Sequence, residues 1–300
     1  MEAVSQERVT VVASDGREFG DVLAVEEPLE IRLGFRKDGR LEHKAISITM
    51  RTPGEDGELA AGFLFTEGVL KSPDQIERMR HCGTKGRNLS GSEGVLLREG
   101  AFDANGTLPT GHVSANTIRV DLAEGVEIDL KRLERHFYTT SSCGVCGKSS
   151  IEALATGVKE IKSELKIDAD IIHSLLQKLR DAQAIFETTG GLHASALFNA
   201  DGKIEIVRED VGRHNALDKV IGAKFLSGEL PLSDKLLLVS GRASFELVQK
   251  ALMAGIPILA AVGAPSSLAV ELAREYGMTL IGFLRGGRFN VYCGETRLRH

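Results

Sequence analysis

Two cysteines at C-x-x-C spacing, Cys143 and Cys146, lie in a run of hydroxyl residues and glycines over residues 139–150. We predict a helix over residues 149–155, so both thiols would lie on the loop that enters it. Free backbone N–H groups and the helix dipole lower the pKa of a thiol at that position. Lys148 adds a positive charge. The segment therefore predicts an accessible nucleophilic thiolate.

Other interpretations of the pair fit the residues less well. A Ser/Gly loop is a poor place for cysteines that only pack, and a thioredoxin-like dithiol would follow the first strand of a small domain. A P-loop would need Gly where Ser142 stands. A zinc deaminase would have Pro at 142 and H-x-E or C-x-E upstream, whereas the C-x-E of this chain starts downstream at Cys293. Thiolate chemistry without a metal, with sulfur carried as a persulfide, is the interpretation that remains.

The elements that must position this chemistry fall into two parts. Residues 1–125 read as a smaller β-rich N-terminal region, and residues 126–300 as an α/β domain that carries the cysteine loop. In the first part we predict a helix over residues 56–67 and strands at 9–12, 29–33, 45–50 and 118–122. Glycine-rich loops are predicted at residues 83–94 and 100–111.

The second part alternates between strands and helices. Helices are predicted at 170–182, 213–226, 245–254 and 268–275, and strands at 194–198, 204–208, 235–239, 257–262, 278–284 and 288–293. The first two strands form a hairpin around Asp201-Gly202, and the last strand lies at an edge. The continuous apolar strands predict a parallel α/β sheet.

Three polar segments follow predicted parallel strands, at residues 240–244, 264–267 and 283–288. The carboxyl ends of parallel strands share one edge of a sheet, where open α/β sheets bind ligands. Helix N-termini at that edge attract phosphate, and Arg285 and Arg288 flank two glycines in a way that suits an anion or a polar heterocycle. We predict a nucleotide-like ligand there.

Two histidines belong to the same set of candidates. His193 follows Gly190 and Gly191, which either bring a ligand close to the backbone or form a simple turn. His214 and Asp218 share a helix face, so the carboxylate could fix the imidazole tautomer, but local spacing alone favours a solvated helix face with one ion pair. Asp210 is predicted to cap this helix.

Composition narrows the class of protein. The 300 residues carry a net charge of −5, 5% aromatics and no Trp, which argues against general nucleic-acid binding. The longest apolar run, residues 254–264, is far shorter than the ~20 residues that cross a membrane, and the N-terminus lacks a signal-peptide pattern. We expect a cytoplasmic protein in which Cys82 and Cys293 serve packing.

Several motifs in fixed order resemble the formate dehydrogenase accessory sulfurtransferase family, FdhD/NarQ. The matching segments cover residue 30 to the end: 57–68, 142–148, 189–193, 209–216, 240–246, 254–257 and 282–288. Long motifs in a fixed order are far more specific than any one of them.

The resemblance implies a three-layer C-terminal domain similar to cytidine deaminases, without their zinc, and a homodimer. It implies a sulfurtransferase: a cysteine desulfurase loads sulfur on Cys143 as a persulfide, with Cys146 in support. The sulfur then passes to the molybdenum or tungsten of a bis-molybdopterin guanine dinucleotide cofactor, which formate dehydrogenase receives. The family's cofactor contacts fall on Phe283, Leu284, Arg285, Gly286, Gly287 and Arg288. The runner-up function is a chaperone that delivers this cofactor without chemistry of its own.

Overall fold

The computed structural model describes residues 5–37, 40–82, 116–126, 128 and 157–299. Cys143 and Cys146 lie outside the described residues, as do the helix predicted at 149–155 and the loops predicted at 83–94 and 100–111. Those assignments stay predictions.

The N-terminal part contains two sheets. Strands β1 (Gln6–Val12) and β2 (Glu18–Ala24) form an antiparallel hairpin. A four-stranded sheet has the order β4-β3-β6-β5, with β3 and β6 parallel and the other pairs antiparallel. Its strands are β3 (Glu27–Lys37), β4 (Arg40–Arg51), β5 (Ile76–His81) and β6 (Thr117–Leu122), and the helix is α1 (Asp56–Thr66). The predicted strands and helix are confirmed, while β2 and β5 were not predicted.

Side-chain alternation gives this four-stranded sheet one apolar face, since successive residues of a strand point to opposite sides. Leu29, Ile31 and Leu33 of β3 are buried with Ile118 and Val120 of β6 in one core, which includes buried residues of α1. Alternate residues of the same strands form the opposite, outer face.

The C-terminal part is built on a six-stranded sheet of order β13-β12-β11-β10-β8-β9. Its strands are β8 (His193–Phe198), β9 (Ile204–Asp210), β10 (Leu236–Val239), β11 (Ile258–Ala261), β12 (Thr279–Arg285) and β13 (Arg288–Cys293); β7 (Ile167–Asp168) pairs with β14 (Leu298–Arg299). The helices are α2 (Ala169–Ala182), α3 (Ala184–Thr189), α4 (Arg213–Leu226), α5 (Phe245–Met253) and α6 (Ser267–Glu275). Short 3₁₀ turns occur at Pro73–Gln75 and Glu295–Arg297.

The prediction of a parallel sheet is right only for β10, β11 and β12. Strand β8 runs antiparallel to β10, and β13 runs antiparallel to β12. The reason is local: β8 and β9 are joined as a hairpin, and β13 folds back on β12 through a two-residue turn. The sheet is therefore mixed, with β13 at one edge as predicted.

Helices cover both faces of this sheet. Leu237 and Val239 of β10 belong to the core that contains α4, α5 and α6, whereas the alternate residues Leu236 and Leu238 belong to the core that contains α2. This continuous apolar strand is typical of one buried on both sides. The result is three layers, helix, sheet and helix.

The two parts meet where α1 crosses α4. A Cβ atom on Gly62 would collide with the carbonyl oxygen of Asp218, and one on Gly222 with that of Glu58. Both glycines are therefore needed for this close crossing. It brings α1 directly against the helix whose first residues include His214.

Candidate functional site

The loops that follow β10, β11 and β12 lie side by side at the carboxyl edge of the parallel strands. The Gly263 N–H donates a hydrogen bond to the Gly241 carbonyl (2.9 Å), and the Phe283 N–H donates one to the Gly263 carbonyl (3.1 Å). Ala243 and Pro265 form a parallel β-bridge between the first two loops. The prediction that the three polar segments meet at one edge is confirmed; we refer to them, with His193, Arg213 and His214, as the carboxyl-edge site.

Helix N-termini contribute backbone donors to this site. Gly212 is the N-cap residue of α4 and Ser244 that of α5; neither N-cap residue caps its helix with a side chain, and in α5 the Glu246 carboxylate accepts a hydrogen bond from its own N–H. In α6, by contrast, the Ser266 hydroxyl accepts the Ala269 N–H at 3.2 Å. Uncapped N–H groups at a helix start favour a bound anion.

The two histidines of the site are held neutral near pH 7. Burial lowers the pKa of His193, and the positive charge of Arg213 lowers it further. Burial also lowers the pKa of His214, to about 4, assisted by Lys250 and Arg213. A neutral imidazole has one N–H donor and one acceptor nitrogen, so each histidine can accept as well as donate a hydrogen bond.

His214 contacts the start of the neighbouring helix α5. Its Nε2 lies 3.4 Å from the Ser244 hydroxyl and 3.9 Å from a carboxylate oxygen of Glu246. Burial raises the pKa of Glu246, but hydrogen bonds from Ser244 and from its own N–H, with the charges near it, outweigh burial and lower the pKa. The spacing of residues did not single out Glu246; its signals were its place in the first turn of a helix and at the end of the family segment 240–246.

The idea that Asp218 orients His214 is wrong. Asp218 is buried and accepts two hydrogen bonds from Lys250 Nζ (2.9 and 2.8 Å) and one from the Thr66 hydroxyl (3.0 Å). Its place on α4, directly at the crossing with α1, turns the carboxylate into the protein. Asp218 therefore ties α4 to α1 and α5, the three helices that meet behind the site.

The prediction that Asp210 caps α4 is also wrong, because Gly212 is the N-cap residue. Asp210 is fully buried and accepts hydrogen bonds from the Gly212 N–H (2.8 Å) and from Asn215 Nδ2 (2.9 Å). It also forms an ion pair with Lys219 at 2.9 Å. The carboxylate fixes the turn from β9 into α4, and so the positions of Arg213 and His214.

The predicted cofactor segment forms a tight hairpin turn. Gly286 and Gly287 have φ angles of 39° and 82°, as a two-residue turn with both central residues in the left-handed region requires. Arg285 and Arg288 flank this turn and are exposed, and the Arg285 guanidinium lies 5.8 Å from the centroid of the Phe283 ring.

Leu284 differs from the rest of that segment. Its side chain is 1% exposed and packs in the core on the α2 side of the sheet, so that only its backbone can reach a ligand. Phe283, partly buried, has a φ of 54°, uncommon for an aromatic residue. Strain of this kind clusters at ligand-binding sites.

The cysteines in the described part of the chain lack the features of reactive thiols. Burial raises the pKa of Cys82 and of Cys293, and the Cys293 thiol donates to the Met278 carbonyl at 3.3 Å. Both positions agree with the predicted packing role. Among the described residues, no group of three or more His, Cys, Asp or Glu side chains is arranged to hold a metal ion.

Among the described helices, none is long and apolar enough to cross a membrane. The fold and the site thus define a mixed α/β protein in which exposed arginines, helix starts and neutral histidines lie along one edge of the main sheet. The model of the FdhD/NarQ family matches residues 24–299, and the chain belongs to that family.

Individual relatives support the same family assignment. The sulfur carrier protein FdhD of Streptomyces avermitilis is 49% identical over 93% of this chain and 89% of its own length. The protein of that name from Mycolicibacterium paratuberculosis is 45% identical over 99% of this chain and its full length, and the one from Saccharolobus solfataricus is 39% identical over 97% and 96%.

A solved structure shares the fold. The crystal structure of a candidate formate dehydrogenase accessory protein from Desulfotalea psychrophila aligns with a TM-score of 0.66 at 24% identity, over 98% of both chains.

Proposed function

We propose that this protein is a sulfur carrier that holds sulfane sulfur as a persulfide on Cys143 and transfers it to the metal of bis-molybdopterin guanine dinucleotide. Membership of the FdhD/NarQ family, with relatives named sulfur carrier proteins that include one at 49% identity, is the observation that carries the proposal. The C-x-x-C segment supplies the sulfur chemistry, and the carboxyl-edge site suits the cofactor's nucleotide end.

Loading requires a persulfide donor, which we assign to a cysteine desulfurase. The Cys143 thiolate attacks the terminal sulfur of the donor persulfide, a new S–S bond forms on Cys143, and the donor cysteine leaves as a thiolate. No net oxidation occurs in this exchange. The predicted position before a helix, beside Lys148, favours the thiolate form of Cys143 that the attack needs.

Cys146 has three candidate roles: to relay the sulfur, to resolve the persulfide, or to release the sulfur by forming a disulfide. In the last case the Cys146 thiolate attacks the Cys143 sulfur, the terminal sulfur leaves as hydrosulfide, and the two cysteines are oxidised to a disulfide. The dithiol then supplies both electrons that reduce sulfane sulfur to sulfide.

The cofactor is the substrate of this reaction, and the carboxyl-edge site fits its dinucleotide part. Pyrophosphate oxygens need cationic and backbone N–H donors, which Arg285, Arg288 and the starts of α4 and α5 provide. A guanine base needs neighbours that both donate and accept hydrogen bonds, which neutral His193 and His214 satisfy.

The remaining parts of the proposal concern the recipient enzyme, the compartment, the oligomeric state and the fold of the C-terminal domain. The recipient of the sulfurated cofactor is formate dehydrogenase, and the carrier acts as a cytoplasmic homodimer. The helix–sheet–helix layering supports a deaminase-like C-terminal domain of residues 126–300, used here without zinc.

Intact-protein mass spectrometry tests the central step. The protein is incubated with an active cysteine desulfurase and cysteine, mapped by peptides, and compared with Cys143→Ser. A reducible gain of one sulfur atom on Cys143, absent from the variant, is expected. If Cys143→Ser still activates formate dehydrogenase, the protein is instead a cofactor-delivery chaperone. Stoichiometric zinc that is lost on mutation of Cys143 and Cys146 would point to a deaminase-type metal site.

A further inference from the structure

The outer face of the four-stranded sheet carries arginines directly opposite one another. Arg32 of β3 is in register with Arg119 of β6, and Arg119 is in register with Arg80 of β5. Residues in register point to the same side of a sheet, with neighbouring strands ~4.8 Å apart. We call these three residues the arginine row.

Like charges placed directly across strands destabilise a sheet, so the arginine row needs compensation. Glu30 supplies part of it, since Arg32 donates to both of its carboxylate oxygens at 2.8 and 3.2 Å. Asp121 lies 2.7 Å from Arg119 but 3.9 Å from Arg80. One carboxylate therefore serves more than one guanidinium, and the face keeps an excess of positive charge.

Two arginine donors illustrate the unmet hydrogen-bonding capacity of this face, which also includes Arg119 Nε and Asp121 Oδ1. The Nε atoms of Arg78 and Arg80 are buried and have no hydrogen-bond partner. Arg78 is in register with Asp121 and so faces the same side. Buried donors without partners cost stability, which an incoming acceptor would restore.

The position of Asp121 is built into the sheet by a glycine. Gly34 is in register with Asp121, and a Cβ atom on Gly34 would overlap the Asp121 carboxylate. Because the carboxylate fills that space, it is held in place within the arginine group rather than free to follow one guanidinium.

Apolar side chains flank the arginine row on the edge strand β4. Ile48, in register with Glu30, is 69% exposed, and Met50, in register with Pro28, is 46% exposed. Arginine and methionine are enriched in protein–protein interfaces, whereas a free phosphate gains nothing from exposed aliphatic groups. The side chains of Arg32 and Arg80 are 39% and 32% exposed, whereas Arg119 and Asp121 between them are buried.

We propose that this outer face docks an acidic segment of a protein partner, with carboxylates on the partly exposed Arg32 and Arg80 of the arginine row and an apolar side chain on Ile48 and Met50. Charge complementarity favours this occupant. Nucleic acid fits less well, because the chain as a whole is negative, at −5, and bases need aromatic platforms, which the described residues of this face do not include. The inference deepens the proposed function, since a carrier must meet a donor and a recipient.

The test uses a fluorescent peptide of alternating Glu and Val, with the matching Gln and Val peptide as the neutral probe. We expect the acidic peptide alone to bind the full chain, with an affinity that falls as salt rises. Arg78→Gln/Arg80→Gln should weaken binding by about tenfold, since charge-assisted hydrogen bonds are lost. Arg17→Gln, which removes an exposed arginine from the β1–β2 turn, is the matched control. If the double variant does not fold, the partly exposed Arg32→Gln replaces it.

Ile48→Ser separates peptide from phosphate. Weaker binding of the acidic peptide in this variant supports the proposal, whereas tripolyphosphate or oligothymidine that binds more tightly than the peptide, and ignores Ile48→Ser, overturns it. Equal binding of the acidic and neutral peptides overturns it too. Persulfide loading of Cys143 from the desulfurase is measured beside the peptide assay, so a failure of the proposed function is seen as lost loading and is distinguished from a failure of docking.

Discussion

The carboxyl-edge site and the outer face of the four-stranded sheet both carry arginines, but the two regions present them differently. At the carboxyl edge, Arg285 and Arg288 flank a tight turn that follows β12, and the same edge of the sheet also offers backbone N–H groups at the starts of α4 and α5. On the outer face, Arg32 and Arg80 project from rigid strands and only side chains are offered. Backbone donors at the ends of strands and helices suit a small phosphate-bearing molecule, whereas a row of side chains across a sheet suits another protein surface.

The largest loss of stability is expected from breaking the buried ion pair of Lys250 and Asp218, which lies behind the carboxyl-edge site. Lys250→Met leaves Asp218 buried without its cation, which typically costs about 3–5 kcal/mol, and urea unfolding measures the loss. Lys250→Met/Asp218→Leu removes both charges and should recover much of it. If Lys250→Met alone is neutral, the ion pair does not hold α1, α4 and α5 together, and the edge is supported in another way.

The next effect concerns ligand binding at the edge. Arg285→Gln/Arg288→Gln should weaken the binding of GDP, a probe for the cofactor's nucleotide end, by about a hundredfold, since two charged contacts to phosphate are lost. Isothermal titration calorimetry provides the measurement, with Arg78→Gln/Arg80→Gln as the matched control on the other region. Equal loss in both double variants would show that the two regions are not distinct.

A smaller effect tests the turn between β12 and β13. Gly287→Ala places a Cβ on a residue with φ of 82°, and the left-handed conformation should cost about 1–2 kcal/mol of unfolding free energy. Thermal unfolding reports this loss. Gly20→Ala, at a glycine with an ordinary φ and open space around the Cβ position, is the control. No difference between the two variants would mean that the turn relaxes without strain.

The outer face should respond in the opposite direction. Arg80→Thr removes one of three charges in register and introduces a residue that favours strands. We expect unfolding free energy to stay unchanged or to rise by up to about 0.5 kcal/mol, while binding of the acidic peptide falls. A clear loss of stability would make the arginine row structural and would remove the contrast with the edge.

His214 is expected to matter to stability only in acid. Its pKa is lowered from 6.5 to about 4, so the unfolded chain binds the proton more tightly than the folded one. The stability it contributes is present above pH 6.5 and is lost as the pH falls toward 4. His214→Gln should flatten this part of the stability profile while leaving stability at pH 7 nearly unchanged. An unaltered acid profile would contradict the burial of a neutral imidazole.

Local patterns predicted the elements well because each depends on nearby residues. The helix at residues 213–226 was placed as the structure has it, and the alternation of strands and helices after residue 204 led to the three loops at one edge. Strand β5 was missed because a register shift between Ile76 and Arg78 places its two buried residues, Ile76 and Met79, three positions apart, which breaks the alternation expected of a strand. The arginines at 78 and 80 became informative only when pairing brought them beside Arg119.

By itself, the sequence determined the family, the cysteine pair and the polar segments of the edge, because ordered motifs and strand–helix alternation are properties of the chain alone. Tertiary structure decided which side chains contact one another. Asp218 turned away from His214 toward Lys250, since the crossing of α1 and α4 buries that face of the helix. The pairing of β8 with β10 and the register of the arginine row were likewise settled by pairing between distant segments, which spacing along the chain does not encode.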